Sequence, residues 1–390
     1  MNHSNGTVTI PFHRSAVGEE EVQAVSEVIR SGWLTMGAKT IEFEKRFAEY
    51  VGARHAISVS SGTAALHLTL DACRIKPGDE VLIPTTTFTA TGEVVSYFGA
   101  RPVLVDIDPV TMNIDPTEAK RKITTRTRAI MPVHMTGQPC DLEELHTIAK
   151  DHGLVIVEDA AHALPSEYRG RRIGSLSELT AFSFYATKTL TTGEGGMVAT
   201  DNDDHAARMR TMRLHGISGD AWKRYGRNGS WFYEVMEAGF KYNLTDLQSA
   251  IGLVQLDKCD RHKDARARIA ALYTDAFQDM GVLEPPTIKG DRETSWHLYI
   301  LRLRLDQIRI DRNTFIDSLK ERGIGTSVHF IPLHLHPYYQ RAFGYRRGEF
   351  PVAEREFERC ISLPIYPGLT DADVQQVIGS VREIADCAKR

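Results

Sequence analysis

The chain has 390 residues, 42% apolar and 25% charged, with a formal net charge of −4 from 47 Lys and Arg against 51 Asp and Glu. That length suffices for two domains and a large core, and the near-even charge offers no global basic field for nucleic acid or an anionic membrane. Five cysteines, at 73, 140, 259, 360 and 387, are odd in number and lack any C-x-x-C, which argues against a disulfide framework and for a reducing compartment. The opening Met1-Asn-His-Ser-Asn-Gly-Thr has no basic-then-apolar signal, and no apolar run approaches the roughly 18 residues of a membrane span. A cytoplasmic, non-membrane protein is expected.

Residues 1–13 read as an arm. Apolar positions 22, 25, 28 and 29 have helical spacing, a glycine-bracketed loop spans Ser31 to Gly37, and Thr40 to Tyr50 returns to helical period. From residue 54 strands alternate with helices. His55–Val59 is a strand turning through Ser60-Ser-Gly-Thr-Ala64 into a helix; Val81–Pro84 is a strand followed by Thr85-Thr-Thr-Phe88 and a helix to about 98. Pro102–Asp106 and Ala129–Val133 are strands, Asp141–His152 a helix, Leu154–Val157 a strand, Leu179–Tyr185 another, then Met197–Thr200 and a helix from Asp203 to His215. Such alternation predicts an α/β domain around a largely parallel, buried sheet. A long connection, 216–242, carries Trp222, Tyr225, Trp231, Phe232 and Tyr233. Thr245 is placed to cap a long helix from 246 to about 279 leading into a smaller α+β region: strand Leu298–Leu303, helix Asn313–Arg322, strand Val328–Phe330, and helices near 350–359 and 371–386. The basic runs Arg169–Arg172 and Arg261–Arg268 read as solvated faces.

In sheets of this kind ligands sit outside the carboxyl ends of the strands. Ser61 to Ala64, Phe88, Asp159 and Lys188 all fall there. Lys188 is flanked by small uncharged residues, a setting in which desolvation lowers an amine's pKa, and a neutral amine is what Schiff-base formation needs. An acid after one strand and a lysine after another suit pyridoxal phosphate, whose pyridine nitrogen is kept protonated by a carboxylate. Glu158 competes with Asp159, but successive strand residues face opposite ways, so one of the two faces the ligand. His162 would stack on or bond the ring, or be structural. Amides at Thr63 and Ala64 would meet a phosphate at a helix start, Ser183 would add a hydroxyl, and Phe88 would cover the ring. His334-Leu-His336 lacks a third ligand at metal spacing, so no metal is expected.

Ser61-Gly-Thr-Ala-Ala-Leu, Glu158-Asp-Ala-Ala-His, Ser183-Phe-Tyr-Ala-Thr-Lys188, Gly193-Glu-Gly-Gly and Gly239-Phe-Lys-Tyr-Asn-Leu-Thr-Asp246 together resemble the DegT/DnrJ/EryC1/StrS sugar aminotransferases, from about Ile10 to the C-terminus. The resemblance implies the fold-type-I architecture of pyridoxal phosphate enzymes. Residues 1–250 would form a large domain with a mixed, mostly parallel sheet, and 251–390 a small domain, in a homodimer with shared active sites. It implies Lys188 as the Schiff-base lysine and Asp159 as the pyridine-nitrogen partner, with His162 where many members have glutamine. Thr63, Ala64 and Ser183 would hold the phosphate and Phe88 the ring. Asn243 would reach the neighbouring subunit's cofactor, and Thr35, Tyr185 and His329 would lie near substrate. The Lys188-Thr-Leu-Thr-Thr-Gly-Glu-Gly-Gly segment looks like members that aminate C4 of a nucleotide-linked keto-sugar, and His162, His215-Gly-Ile with Asp220-Ala-Trp222, and Ser327-Val-His329-Phe look most like the ArnB-type transaminase of a UDP-4-keto-pentose and related enzymes of UDP- or dTDP-4-keto-6-deoxyhexoses. L-Glutamate would be donor, 2-oxoglutarate its product and pyridoxamine phosphate the intermediate cofactor form.

Four alternatives stand beside this. A C3-keto-sugar or keto-cyclitol aminotransferase would belong to the same family. A keto-sugar dehydratase replaces the lysine with histidine, so Lys188 speaks against it. A non-catalytic regulator on the same fold is opposed by the intact lysine, aspartate and phosphate set. An amino-acid aminotransferase would be told apart by its refusal of nucleotide-sugars.

Overall fold

A computed structural model describes residues 9–217 and 232–390. Two helices open it, α1 (Glu19–Ser31) and α2 (Ala38–Val51). The alternating region follows: β1 (His55–Val59), α3 (Gly62–Ala72), β2 (Glu80–Pro84), α4 (Ala90–Tyr97), β3 (Arg101–Val105), α5 (Pro116–Arg121), β4 (Thr127–Ile130), α6 (Leu142–His152) and β5 (Val155–Asp159). A short pair β6 (Glu167–Tyr168) and β7 (Arg171–Arg172) precedes β8 (Leu179–Ser183), β9 (Gly196–Thr200) and α7 (Asp203–Met212). Then come α8 (Asp246–Phe277), β10 (Leu283–Glu284), β11 (Arg292–Glu293), β12 (Tyr299–Leu303), α9 (Arg312–Glu321), α10 (Pro337–Phe343), α11 (Pro351–Arg359), β13 (Cys360–Leu363) and α12 (Asp371–Ala388).

Seven strands form one sheet in the order β1-β9-β8-β5-β4-β2-β3. Only β9 runs against the rest, pairing antiparallel with β1 and β8, while β8, β5, β4, β2 and β3 are parallel. Both faces are covered, and the strand side chains divide between two cores. Ile57, Val81, Ile83, Val157 and Ala181 belong to one, and Ala56, Leu82, Ile156 and Phe182 to the other. That alternation explains the near-continuous apolar character of each strand. Phe43 and Phe47 of α2 pack against Phe182 and Phe184 in the second core; truncating Phe47, which is fully buried, to alanine costs about 3–5 kcal/mol.

The smaller sheet, β10-β12-β13, lies over a third core. Tyr299, Leu301 and Ile361 there meet Tyr273 and Phe277 of α8, Phe315 of α9 and Val377 of α12. Helix α8 opens with a capping box in which Thr245 and Gln248 satisfy each other's end of the first turn. Asp246 in that turn accepts from the Gly37 and Thr40 amides at 2.8 and 2.9 Å, tying the 32–37 loop to the helix start. No described helix is long and apolar enough to cross a membrane.

Three sequence expectations change. Val328–Phe330 is not a strand: the segment makes one bridge, Ser327 to Ser362, and then turns His329 and Phe330 toward a cavity. Asp159 ends β5 rather than following it, because its register partner Ala181 extends the pairing. Within the basic run 261–268, Arg266 is 1% exposed, its guanidinium donating to the carbonyls of Trp296, His297 and Ile365. Asp220, Trp222, Tyr225 and Trp231 lie outside the described residues.

Candidate active site

Parallel pairing of β5 with β8 carries their carboxyl ends to one edge, so Asp159 and the turn after Ser183 lie side by side. Helix α3 begins at the same edge: a Cβ added to Gly62 would stand 2.8 Å from the Ser183 Cβ, an approach only glycine permits. These ends enclose a cavity of about 360 Å³ lined by Thr63, Phe88, Asp159, His162, Ser183, Tyr185, Lys188 and His329, among others.

Asp159 is buried, and its two oxygens are separately held. The Thr91 hydroxyl donates to Oδ2 at 2.8 Å and the Ala161 amide to Oδ1 at 3.1 Å. The Thr87 hydroxyl lies 2.8 Å from that of Thr91 and continues the chain. Burial pushes the Asp159 carboxyl above its ordinary range, against the pull of those donors and of Lys188. Glu158 points to the other face of the sheet. It is fully buried and bonded to His134 Nε2 at 2.6 Å.

Lys188 is half-buried on the cavity wall. Desolvation lowers its amine to about 8, opposed by the Asp159 charge and aided by Arg266. About a tenth of the amine is therefore neutral at pH 7, far more than for an ordinary lysine, and neutral amine is the form that attacks an aldehyde.

Gly62 and Thr63 line the cavity at the first turn of α3, where a helix leaves its amides without intrahelical partners. Ala64 is behind them, and its N–H is already taken by Ser61 Oγ at 3.0 Å. Its expected role as an amide donor thus competes with the N-cap. Ser183 Oγ borders the same turn. Phe88 is 58% exposed at the cavity rim, its ring 6.0 Å from that of Phe330.

Thr35 and Asn243 do not line this chain's cavity. Thr35 is exposed and its carbonyl accepts from the Asp246 amide at 3.2 Å. The Asn243 side-chain carbonyl is bonded by Lys241. Both sit beside the start of α8.

Sequence reasoning passed over Thr91, Thr87, His13, His297 and Phe330. Thr87 lies in the Thr-rich turn after β2 and Thr91 in the first turn of α4 that follows it, and this density of hydroxyls was a usable signal. Nothing local marks His13 or His297; they join the site through tertiary packing. The rings of His162 and His297 are 4.4 Å apart, and the Nδ1 of each is buried with no partner among the described residues. Burial drives both imidazoles well below their ordinary pKa, so they are neutral.

These features fit a flat, anionic, pyridine-containing group. The helix start suits its phosphate, Asp159 a protonated ring nitrogen, the orphaned His162 Nδ1 a ring substituent, and Lys188 an aldehyde. His334, raised as half of a metal pair, is instead spent on Thr85 at 2.7 Å and Glu354 at 3.0 Å.

Comparison with known proteins agrees with this geometry. The DegT/DnrJ/EryC1/StrS aminotransferase family model matches residues 15–382. Protein MJ1066 of Methanocaldococcus jannaschii is 51% identical over 375 residues, 96% of this chain and 97% of that one. The spore coat polysaccharide biosynthesis protein SpsC of Bacillus subtilis is 48% identical over 376 residues, again 96% and 97%. Spr1654 from Streptococcus pneumoniae, assigned as a sugar aminotransferase, superposes in its PMP form with a TM-score of 0.92 at 34% identity, covering 97% of this chain and 100% of that one. Its PLP form gives 0.90.

Proposed function

The chain belongs to the DegT/DnrJ/EryC1/StrS aminotransferase family and is a pyridoxal-phosphate-dependent sugar aminotransferase; we propose that it moves the amino group of L-glutamate to the C4 keto carbon of a nucleotide-linked sugar. The observation that carries amino transfer is one cavity holding both a lysine depressed to about 8 and a buried, doubly hydrogen-bonded aspartate. Choice of C4 rests on the Lys188 to Gly196 segment and His162, and the spore coat polysaccharide biosynthesis of the related SpsC supports a sugar acceptor.

Bound pyridoxal phosphate supplies an electron sink for bond changes at an attached carbon. Lys188 would hold it through Nζ and, when displaced by the donor, take the proton from the donor's α-carbon with that same nitrogen. Asp159 would keep the ring nitrogen protonated, its ionised form favoured by Thr91 and the Ala161 amide. Thr63, Ala64 and Ser183 would face the phosphate, Phe88 one ring face, and His162 Nδ1 a ring substituent. Tyr185 and His329 would meet the substrate.

Asn243, outside its own cavity, would in a homodimer reach the neighbouring subunit's cofactor, and Thr35, beside it at the start of α8, would lie near substrate. Residues 1–250 would carry the cofactor and 251–390 form the smaller domain. Five free thiols support a cytoplasmic setting.

The test is the absorbance of the purified protein on addition of L-glutamate and then of a panel of keto nucleotide-sugars. The expected result is a visible band that bleaches with glutamate and returns with a 4-keto-sugar. Return only with a 3-keto-sugar or a keto-cyclitol would move the position of amination. Return only with 2-oxo acids would make the protein an amino-acid aminotransferase, and no band after reconstitution would reopen a regulatory role.

A further inference from the structure

The turn that carries Lys188 is gripped from outside by a segment 170 or so residues away. The Lys188 amide bonds back to the Tyr185 carbonyl at 2.9 Å, which folds residues 185–188 into a tight turn and leaves the Ala186 carbonyl pointing outward. Two side chains of the N-terminal segment take up that oxygen. Ser15 Oγ donates at 2.7 Å and His13 Nε2 lies at 3.0 Å. A carbonyl only accepts, so His13 is the tautomer with its proton on Nε2. Both lone pairs of one oxygen are thus used by one short stretch of chain.

That stretch is anchored at both ends. Behind it, Ile10 is 2% exposed and pairs with the 323–325 turn through Ile10 N–H to Gly323 O at 3.0 Å and Gly325 N–H to Ile10 O at 2.8 Å. Ahead of it, α1 is fixed to α8 by Lys258, which bonds Glu21 at 2.7 Å. Between the anchors, Phe12 stacks on His329 with ring centres 5.4 Å apart, and both Phe12 and His13 line the cavity. The segment therefore ties the lysine turn to the opposite wall of the site.

We propose that residues 12–15 are a positioning element for Lys188, with His13 and Ser15 jointly holding the Ala186 carbonyl so that the turn presents the lysine amine to the cavity. The proposal rests on the reading of Lys188 as the cofactor-bearing residue. Neither side chain needs to touch the reacting atoms. Because His13 is held neutral by burial, with a pKa of about 4, and its Nε2 proton is retained in either charge state, the grip persists across the physiological range.

The experiment compares wild type with His13→Phe, Ser15→Ala, their double variant and the conservative Ser15→Thr. Hydrogen exchange is read first, on cofactor-free protein, over residues 185–190, with α6 as internal reference. The double variant is expected to exchange there about tenfold faster, the scale of one to two lost hydrogen bonds, with α6 unchanged. In the reconstituted protein its glutamate half-reaction is expected to slow about tenfold in maximal rate while half-saturation by glutamate moves less than about twofold. Ser15→Thr, which keeps the hydroxyl, is expected to keep both readouts at their wild-type values, unlike Ser15→Ala.

Unchanged exchange at 185–190, or faster exchange with an unchanged half-reaction, overturns the positioning role while leaving Lys188 as cofactor residue intact. Wild-type protein that captures no pyridoxal phosphate overturns both, and covalent capture is measured separately to tell the cases apart.

Discussion

Glu158 and Asp159 are consecutive carboxylates at the end of β5, both buried, and the two faces of the sheet treat them in opposite ways. On one face burial raises the Glu158 carboxyl, but the hydrogen bond and charge of His134, with Ser177 and His146 beside it, together outweigh burial and hold the group below its ordinary range. His134 Nδ1 accepts from the Cys140 amide at 3.0 Å, so Nε2 carries the proton and donates the hydrogen bond to Glu158. That carboxylate is consumed by structure. On the other face the donors are a hydroxyl and an amide, burial wins, and the Asp159 carboxyl ends above its ordinary range while bordering an open cavity. Strand alternation alone separates them, and what each face supplies as partner decides which one remains available for chemistry.

The largest effect that would break this contrast lies across the cavity. Lys188→Ala should reduce turnover by at least about 10³-fold, since one nitrogen acts as nucleophile and as proton carrier. The variant should still bind pyridoxamine phosphate, as equilibrium dialysis would show. Asp159→Asn should cost about 10²–10³ in the maximal rate of the glutamate half-reaction, within the range of a lost acid–base partner, and stopped-flow absorbance reads it. Substantial activity in either variant would remove the distinction between the two faces.

Smaller effects sharpen it. Thr91→Val deletes one of the donors that hold Asp159 ionised, so the carboxyl should titrate still higher. The acid limb of the rate profile should then move to higher pH, by about one pH unit for one lost hydrogen bond to the ionised form. Glu158→Gln should do the reverse: a stability loss of about 1.5–3 kcal/mol in urea unfolding, with turnover per folded molecule nearly retained.

A pH measurement on the cofactor-free protein checks the lysine. Its depressed amine, near 8, is protonated below that value and neutral above it. Covalent capture of pyridoxal phosphate should therefore accelerate about tenfold per pH unit on the acid side and level off above about 8.

Much of the large sheet was legible because its strands are short apolar runs bounded by turns, and their alternation with helices fixes where ligands collect. Asp159, Ser183 and Lys188 could be named for that reason: each is tied to a strand end by local sequence. The other wall was not legible. Val328–Phe330 has the residues of a strand, yet it is drawn off the sheet edge after Ser327, and its rings are spent on Phe12, His162 and Phe88. Arg266 sits in a run of charges that looks solvated, and only the meeting of α8 with the 296–297 and 365 carbonyls buries it. His13 and His297 enter the cavity from segments far apart in the chain, a juxtaposition that no periodicity encodes.

The most direct test of the central claim is borohydride reduction of the reconstituted protein followed by peptide mass mapping. A phosphopyridoxyl mass confined to Lys188, and lost when L-glutamate is added before reduction, is the predicted result. Label on another lysine, or label at Lys188 that glutamate does not remove, would contradict it.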